Sequence, residues 1–150
     1  IESLCHARNS IEVALSAVHR VLRAGGQLLV VDAWRTDTCP TSTEEVRDAV
    51  ALTERAMSVG SALTQSDWVE NAATCGLRLV ERLPLSEQVT PNLERFEAGA
   101  EIALSQPEFL KFARRLVPQH LLGNIVAGYL MAATVRAGLH TYDLLLLERE

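Results

Sequence analysis

The sequence predicts an α/β fold, and three observations carry the prediction. In "HRVLRAGGQLLVVDAW" (19–34) an amphipathic helix end runs through a glycine pair into an unbroken apolar run, which is half of a strand–helix–strand unit. Further along, helical and strand-like segments alternate instead of separating into blocks. The chain is also 48% hydrophobic over 150 residues, enough for one domain with a substantial core.

Each element has its own warrant. The opening "IESLC" reads as the tail of a strand, so the chain is expected to be part of a longer domain. Asn9 or Ser10 can cap a helix in which Ile11, Leu15, Val18 and Leu22 form one apolar stripe, with Gly25 placed to end it in the left-handed conformation. "QLLVVDAW" lacks polar alternation, the pattern of a strand covered on both faces. The turn-rich "DTCPTSTEE" reads as a loop, and "TEEVRDAVALTERAMSVG" as a helix with a solvated, charged face. Thr64 and Asp67 have capping-box spacing for a helix reaching Cys75, stopped by Gly76, and a short strand "LRLVERLPL" follows. Three helical segments come next, "TPNLERFEAGAEIALS", "PEFLKFARRLV" and "PQHLLGNIVAGYLMAATVRAG", the last two opened by prolines suited to a first helical turn. The leucine-rich "LHTYDLLLLERE" closes the chain as a strand.

Composition narrows the function classes. A net charge of −5 with Lys and Arg scattered singly argues against a nucleic-acid or anionic-membrane surface. Cys5, Cys39 and Cys75 are odd in number and widely spaced, which supports neither a disulfide framework nor a zinc site and fits a cytoplasmic protein. His19 reads as a surface or helix-end residue facing the last carbonyls, and His120 and His140 have no ligand partner at i+3 or i+4, so metal binding is not expected. The longest apolar region, 121–138, is interrupted by Gly123, Asn124 and Gly128 and ends near Arg136, so it reads as a buried helix and not a membrane span.

On these residues the sequence resembles the small-molecule branch of the class I S-adenosylmethionine-dependent methyltransferases. "HRVLRAGGQLLVVD" is similar to that family's "RVLxPGGxLxxxD", with Ala24 in place of proline, and the preceding "ESLCH" is similar to its strand-end turn. "SDWVENAATCGLRLV" resembles its "W…L…AGF…V" helix and strand, with Cys75 and Leu77 for the usual alanine and phenylalanine, and "AGLHTYDLLLLERE" resembles its closing strand. The resemblance spans nearly the whole chain in family order. It implies the C-terminal half of a Rossmann-like sheet, strands ordered fifth, seventh, sixth with the last antiparallel between its neighbours, and an N-terminal cofactor half that is missing. Residues 1–150 would then be a single partial methyltransferase domain, with a helical lid insertion at 90–138. Such a half-sheet would expose the edge where further strands should pair.

The resemblance also implies chemistry. Methyl transfer from S-adenosylmethionine needs alignment, exclusion of water and a base for a protonated acceptor. Ligands sit at the carboxyl ends of parallel strands, which singles out His6, after the first strand, and Asp32, at the end of "QLLVVD", as candidate catalytic residues. Histidine's ordinary pKa of about 6.5 suits a general base. The plainer alternative is that His6 bonds a loop and Asp32 satisfies backbone amides in the turn. Glu2 and Ser3, in the same turn, are candidates for cofactor contact. Trp34 is a candidate wall of the acceptor pocket, though a tryptophan beside a strand end is as readily core, and Tyr129 is a candidate acceptor contact from the lid. Trp68 reads as core and Tyr142 as structural. No GxGxG loop is present, because Gly25-Gly26 follows a helix and not a strand.

The function expected is methyl transfer to a small, hydrophobic or natural-product-like acceptor, with this chain inactive alone. A non-catalytic small-molecule-binding or interaction module with a degenerate methyltransferase-like fold is the alternative from another class. A different Rossmann-like enzyme, such as a dehydrogenase, fits the element order less well.

Overall fold

The computed structural model describes residues 4–7, 11–38, 43–59 and 63–150. After a single 3-10 turn, Leu4–His6, the elements are α1 (Ile11–Val21), β1 (Gln27–Arg35), α2 (Glu44–Ala56), α3 (Gln65–Thr74), β2 (Leu77–Pro84), α4 (Ser86–Leu104), α5 (Pro107–Leu116), α6 (Gln119–Arg136) and β3 (His140–Arg149). Of the "IESLC" expected as the tail of a strand, Leu4 and Cys5 lie instead in the 3-10 turn; residues 1–3, Glu2 and Ser3 among them, and the Asn9 or Ser10 cap lie outside the described residues. The chain divides into two compact units, one of Ile1–Asp37, Val59–Ser86 and Thr141–Glu150, the other of Thr38–Ser58 and Glu87–His140.

The first unit holds the sheet, in the order β1-β3-β2. β3 runs antiparallel to β2, from Leu77 opposite Arg149 to Pro84 opposite Asp143, with a bulge between Leu79 and Glu81. At its far end the Gly25 amide donates to the Arg149 carbonyl at 3.0 Å and the Arg149 amide to the Gly26 carbonyl at 2.9 Å. The end of β3 therefore meets the start of β1, and β3 is antiparallel to that strand too. The last strand sits between its two neighbours, as the resemblance implied.

The apolar stripe of α1 works as its spacing requires: Ile11 and Leu15 are buried and Val18 and Leu22 pack against them. They join Val30 and Trp34 of β1, Trp68 and Ala72 of α3, Leu77 of β2, and Leu145 and Leu147 of β3 in one core. Both helices thus cover the same face of the sheet. β1 corrects the expectation of a strand covered on both faces: Val30, Asp32 and Trp34 are buried, while Leu29 on the alternate face is 51% exposed. The reason is period two: α1 and α3 reach one side of the pleat only. Trp34 and Trp68 meet edge to face at 6.0 Å and 67°, a geometry worth about 0.5–1.5 kcal/mol beyond burial.

Gly76 stops α3 as predicted, its amide bonding back to the Ala73 carbonyl at 2.9 Å, whereas α1 ends at Val21, before Gly25, whose amide donates to Arg149 and which makes the turn into β1. Gly25 has φ +70° and Gly76 has φ +76°, the left-handed region that a Cβ disfavours. At Gly76 a Cβ would also lie 3.0 Å from the His19 imidazole. The Thr64 capping box forms, with the Asp67 amide donating to Thr64 Oγ1 at 3.2 Å and the Thr64 amide to Asp67 Oδ2 at 3.4 Å.

The second unit is helical. α5 opens with Pro107 in its first turn and α6 is preceded by Pro118, as expected. α4 starts at Ser86, four residues before the expected Thr90, so Pro91 lies inside it. One lost backbone bond at Pro91 does not prevent the preceding turn: Ser86 is anchored to β3, its hydroxyl accepting the Tyr142 amide at 2.9 Å. Arg136 of α6 forks onto Glu97 of α4 at 2.7 and 2.9 Å, which holds the Glu97 carboxyl below the usual carboxylate range. His140, which has no partner at helical spacing, finds one through the fold: Glu54 of α2, 3.5 Å away, both groups buried. α2 packs along α6, and at Gly123 a Cβ would come 2.7 Å from the Ala56 carbonyl oxygen. Among the described residues no helix is long and apolar enough to cross a membrane.

Gly123→Ala would gain up to about 1 kcal/mol of helix propensity, but the clash is with backbone, which cannot rotate away, and forced overpacking costs about 1–3 kcal/mol. The net expected is destabilisation, read as a lower denaturant midpoint. Gly99→Ala, with nothing within 4 Å of the added Cβ, is the matched control and should raise the midpoint.

Candidate functional site at the carboxyl end of the sheet

β1 and β2 end, and β3 begins, on the same side of the sheet. Two groups of polar side chains gather there within the first unit. The first is built around Asp32, whose alternation with Val30 and Trp34 points it to the buried face, where it is 4% exposed. Its Oδ2 accepts the Cys5 amide at 3.3 Å and its Oδ1 the Ala33 amide at 2.9 Å. A buried carboxylate with both oxygens on backbone amides fixes local geometry. Here it ties the Leu4–His6 turn to the end of β1, and so sets where the exposed His6 stands. His6 and Asp32, 26 positions apart in sequence, thus meet through the backbone of Cys5.

Trp34 lies next along β1 on the same face but is 5% exposed and packed on Trp68, within the core. Tyr129 is on α6, in the helical unit, and is 41% exposed.

The second group was not singled out in the sequence. Asp143 of β3 is 0% exposed; its Oδ2 accepts Gln65 Nε2 at 2.5 Å, Thr141 Oγ1 at 3.0 Å and Arg82 Nη2 at 3.1 Å. Its Oδ1 has no hydrogen-bond partner among the described residues. Asp143 continues the buried alternation of Leu145 and Leu147, so the apolar face of β3 becomes polar at the ligand end of the sheet. Nearby, Asp37 accepts from the Ser66 hydroxyl at 2.6 Å. That bond outweighs the opposing effect of burial and, with smaller support from Thr64, the Ser66 backbone and the Arg82 charge, keeps the Asp37 carboxyl below the ordinary aspartate value. A cavity of about 350 Å³ adjoins this group, lined by Gln65, Ser66 and Arg82 with Val69, Leu79 and Leu145 among its apolar walls. The only signal in the sequence was a lone Asp in a leucine run, "TYDLLLL", which costs several kcal/mol unless partnered.

The glycine pair offers no nucleotide loop. The Gly25 amide is given to Arg149 and the Gly26 amide to the Arg23 carbonyl at 2.8 Å, so neither points to a ligand. Among the described residues no group of three or more His, Cys, Asp or Glu side chains could hold a metal ion.

No protein-family model matches the chain, and no curated protein sequence does. Solved structures do. A cyclopropane synthase from Mycobacterium tuberculosis superposes with a TM-score of 0.69 at 16% identity, over 99% of this chain and 53% of its own. A geranyl diphosphate methyltransferase in complex with S-adenosylmethionine gives 0.62 at 16%, over 99% and 48%. A [4+2]-cyclase, SpnF, gives 0.62 at 16%, over 99% and 47%. The chain spans about half the length of these solved chains, and it has the fold of the C-terminal part of the class I methyltransferase domain.

Asp143→Ala would strand Gln65 and the half-exposed Arg82, and should cost about 2–4 kcal/mol in chemical denaturation, somewhat less than a fully buried pair. Ser66→Ala should raise the Asp37 pKa toward its ordinary value, seen by NMR titration of the carboxyl carbon. Because the folded pKa is depressed, the stability Asp37 contributes is present above about pH 4 and is lost as pH falls through the folded value. Ser66→Ala should flatten that acid limb.

Proposed function

We propose that this chain is the acceptor-side half of an S-adenosylmethionine-dependent methyltransferase acting in the cytoplasm on a small hydrophobic or natural-product-like acceptor. The observation that carries the reading is the sheet order β1-β3-β2 with the central strand antiparallel, reached through the "RVLRAGG" turn. It is supported by the geranyl diphosphate methyltransferase that shares this arrangement with S-adenosylmethionine bound. Fold similarity alone leaves the chemistry to the site.

When bound, the cofactor would supply a methyl group on a positively charged sulfur. The Gly25-Gly26 turn does not make its cradle, since both of its amides are engaged within the chain. Glu2 and Ser3 are proposed as this chain's contacts to it, and the rest is assigned to a preceding half. The chain's own part is positioning and proton removal. Asp32 holds the Leu4–His6 turn through the Cys5 amide. His6, exposed at the carboxyl end of the sheet, takes the proton of the acceptor's nucleophilic atom. Trp34 backs the acceptor pocket from the core. The helices of 90–138, with Tyr129, serve as the lid over it.

The [4+2]-cyclase on the same fold favours a second reading, a small-molecule-binding or non-methylating module. One set of measurements separates them. Calorimetric titration with S-adenosylhomocysteine is expected to show binding to a longer chain carrying the preceding half and little to this chain alone. His6→Ala in the longer chain should lower turnover about 10²–10⁴-fold with cofactor affinity nearly unchanged. Unchanged turnover would remove His6 from the reaction, and a longer chain that binds no S-adenosylhomocysteine would favour the module.

A further inference from the structure

The helical unit contains a cavity of its own, about 860 Å³, between the end of α2, the end of α5 and the first half of α6. That is within the range of about 300–1,000 Å³ typical of small-ligand sites. Its walls are of two kinds. Leu52, Val117, Leu122 and Val126 are apolar, and Arg55 and Arg114 bring two guanidinium groups. Among the described residues that line the cavity there is no Asp or Glu, although the chain as a whole carries a net charge of −5. Some exposed cations have carboxylate partners, Arg136 with Glu97, Lys111 with Glu108 and Arg78 with Glu148, while among the described residues Arg20, Arg23, Arg95 and Arg115 stand singly on the surface; Arg55 and Arg114 differ from those in lining one cavity together. Among the described residues neither the Arg55 nor the Arg114 side chain has an ion pair or hydrogen bond.

Two arginines without a carboxylate partner line one cavity, and the planar guanidinium fork is suited to the oxygens of a carboxylate or phosphate. The apolar walls have no use for that anion alone. We propose that this cavity binds a small anionic amphiphile, a carboxylate or phosphate head held by Arg55 and Arg114 with an apolar tail along Leu52, Val117, Leu122 and Val126. Gly123, which also lines it, keeps α6 close against the end of α2 and so shapes its floor. The inference stands on the helical unit alone and holds whether or not the chain takes part in methyl transfer.

The test is calorimetric titration of the 150-residue chain with dodecanoate and dodecyl phosphate below their micelle concentrations, beside dodecanol, inorganic phosphate and vesicles of anionic phospholipid. The expected result is saturable binding of the two amphiphiles. Arg55→Gln/Arg114→Gln should weaken it at least about tenfold, and Arg55→Lys/Arg114→Lys should restore part of the loss. Arg115→Gln, which removes one positive charge beside the cavity and not in it, should change it less than about twofold, whereas Arg55→Gln or Arg114→Gln alone should each weaken it more than that. Circular dichroism of each variant confirms the fold. The proposal is overturned if no amphiphile binds, or if dodecanol binds as well as dodecanoate. It is equally overturned if inorganic phosphate binds as tightly as dodecyl phosphate, if only vesicles bind, or if Arg115→Gln weakens binding as much as the double variant.

Discussion

The structure depends on the return of the last ten residues to the middle of the sheet. Among the described strands β1 and β2 are not neighbours and each pairs with β3, so without that strand they would lose their strand partner, and isolated strands are not stable in water. The return is also what closes the turns. Arg149 exchanges backbone bonds with Gly25 and Gly26 and sends its guanidinium to the Leu22 carbonyl, and the Glu150 amide donates to the Gly76 carbonyl at 3.2 Å. The left-handed turn at Gly25 and the helix stop at Gly76 are thereby pinned to one end of one strand. Leu145 and Leu147, both fully buried, supply the apolar face on which α1 and α3 rest.

The same strand defines the site. Running antiparallel, β3 begins where β1 and β2 end, so its first residues stand at the ligand end of the sheet, and the burial that serves Leu145 and Leu147 is imposed on Asp143 as well. A carboxylate there must be partnered, and Gln65 from α3, Arg82 from β2 and Thr141 from β3 itself do so. Asp32 meets the same constraint on β1 with backbone amides instead. One buried acid joins strands to a helix; the other joins a strand to a turn. Each fixes a loop at the end of the sheet where an open α/β fold places its ligand.

The helical unit follows a different rule. Its packing is set by close approach at Gly123 and by the bidentate Arg136–Glu97 pair. It leaves Phe112 and Leu116 of α5 and Phe96 of α4 largely exposed. The apolar residues of this region were visible in the sequence, but their distribution between core, cavity wall and solvent was not, because α6 is apolar around its whole circumference and no stripe marks its buried side.

By itself the sequence determined what depends on local chemistry: the stripe of α1, the left-handed glycines at 25 and 76, the capping box of α3, the prolines that open α5 and precede α6, and the order of elements. These are set by hydrogen bonds and sterics within a few residues, so the residues that cause them are adjacent in the chain. Where α4 begins, which face of β1 is covered, and which acids are partnered were decided by tertiary structure. Ser86 and Tyr142, Asp143 and Gln65, and His140 and Glu54 are each more than fifty positions apart, and no local pattern encodes a contact between residues that only a returning strand brings together.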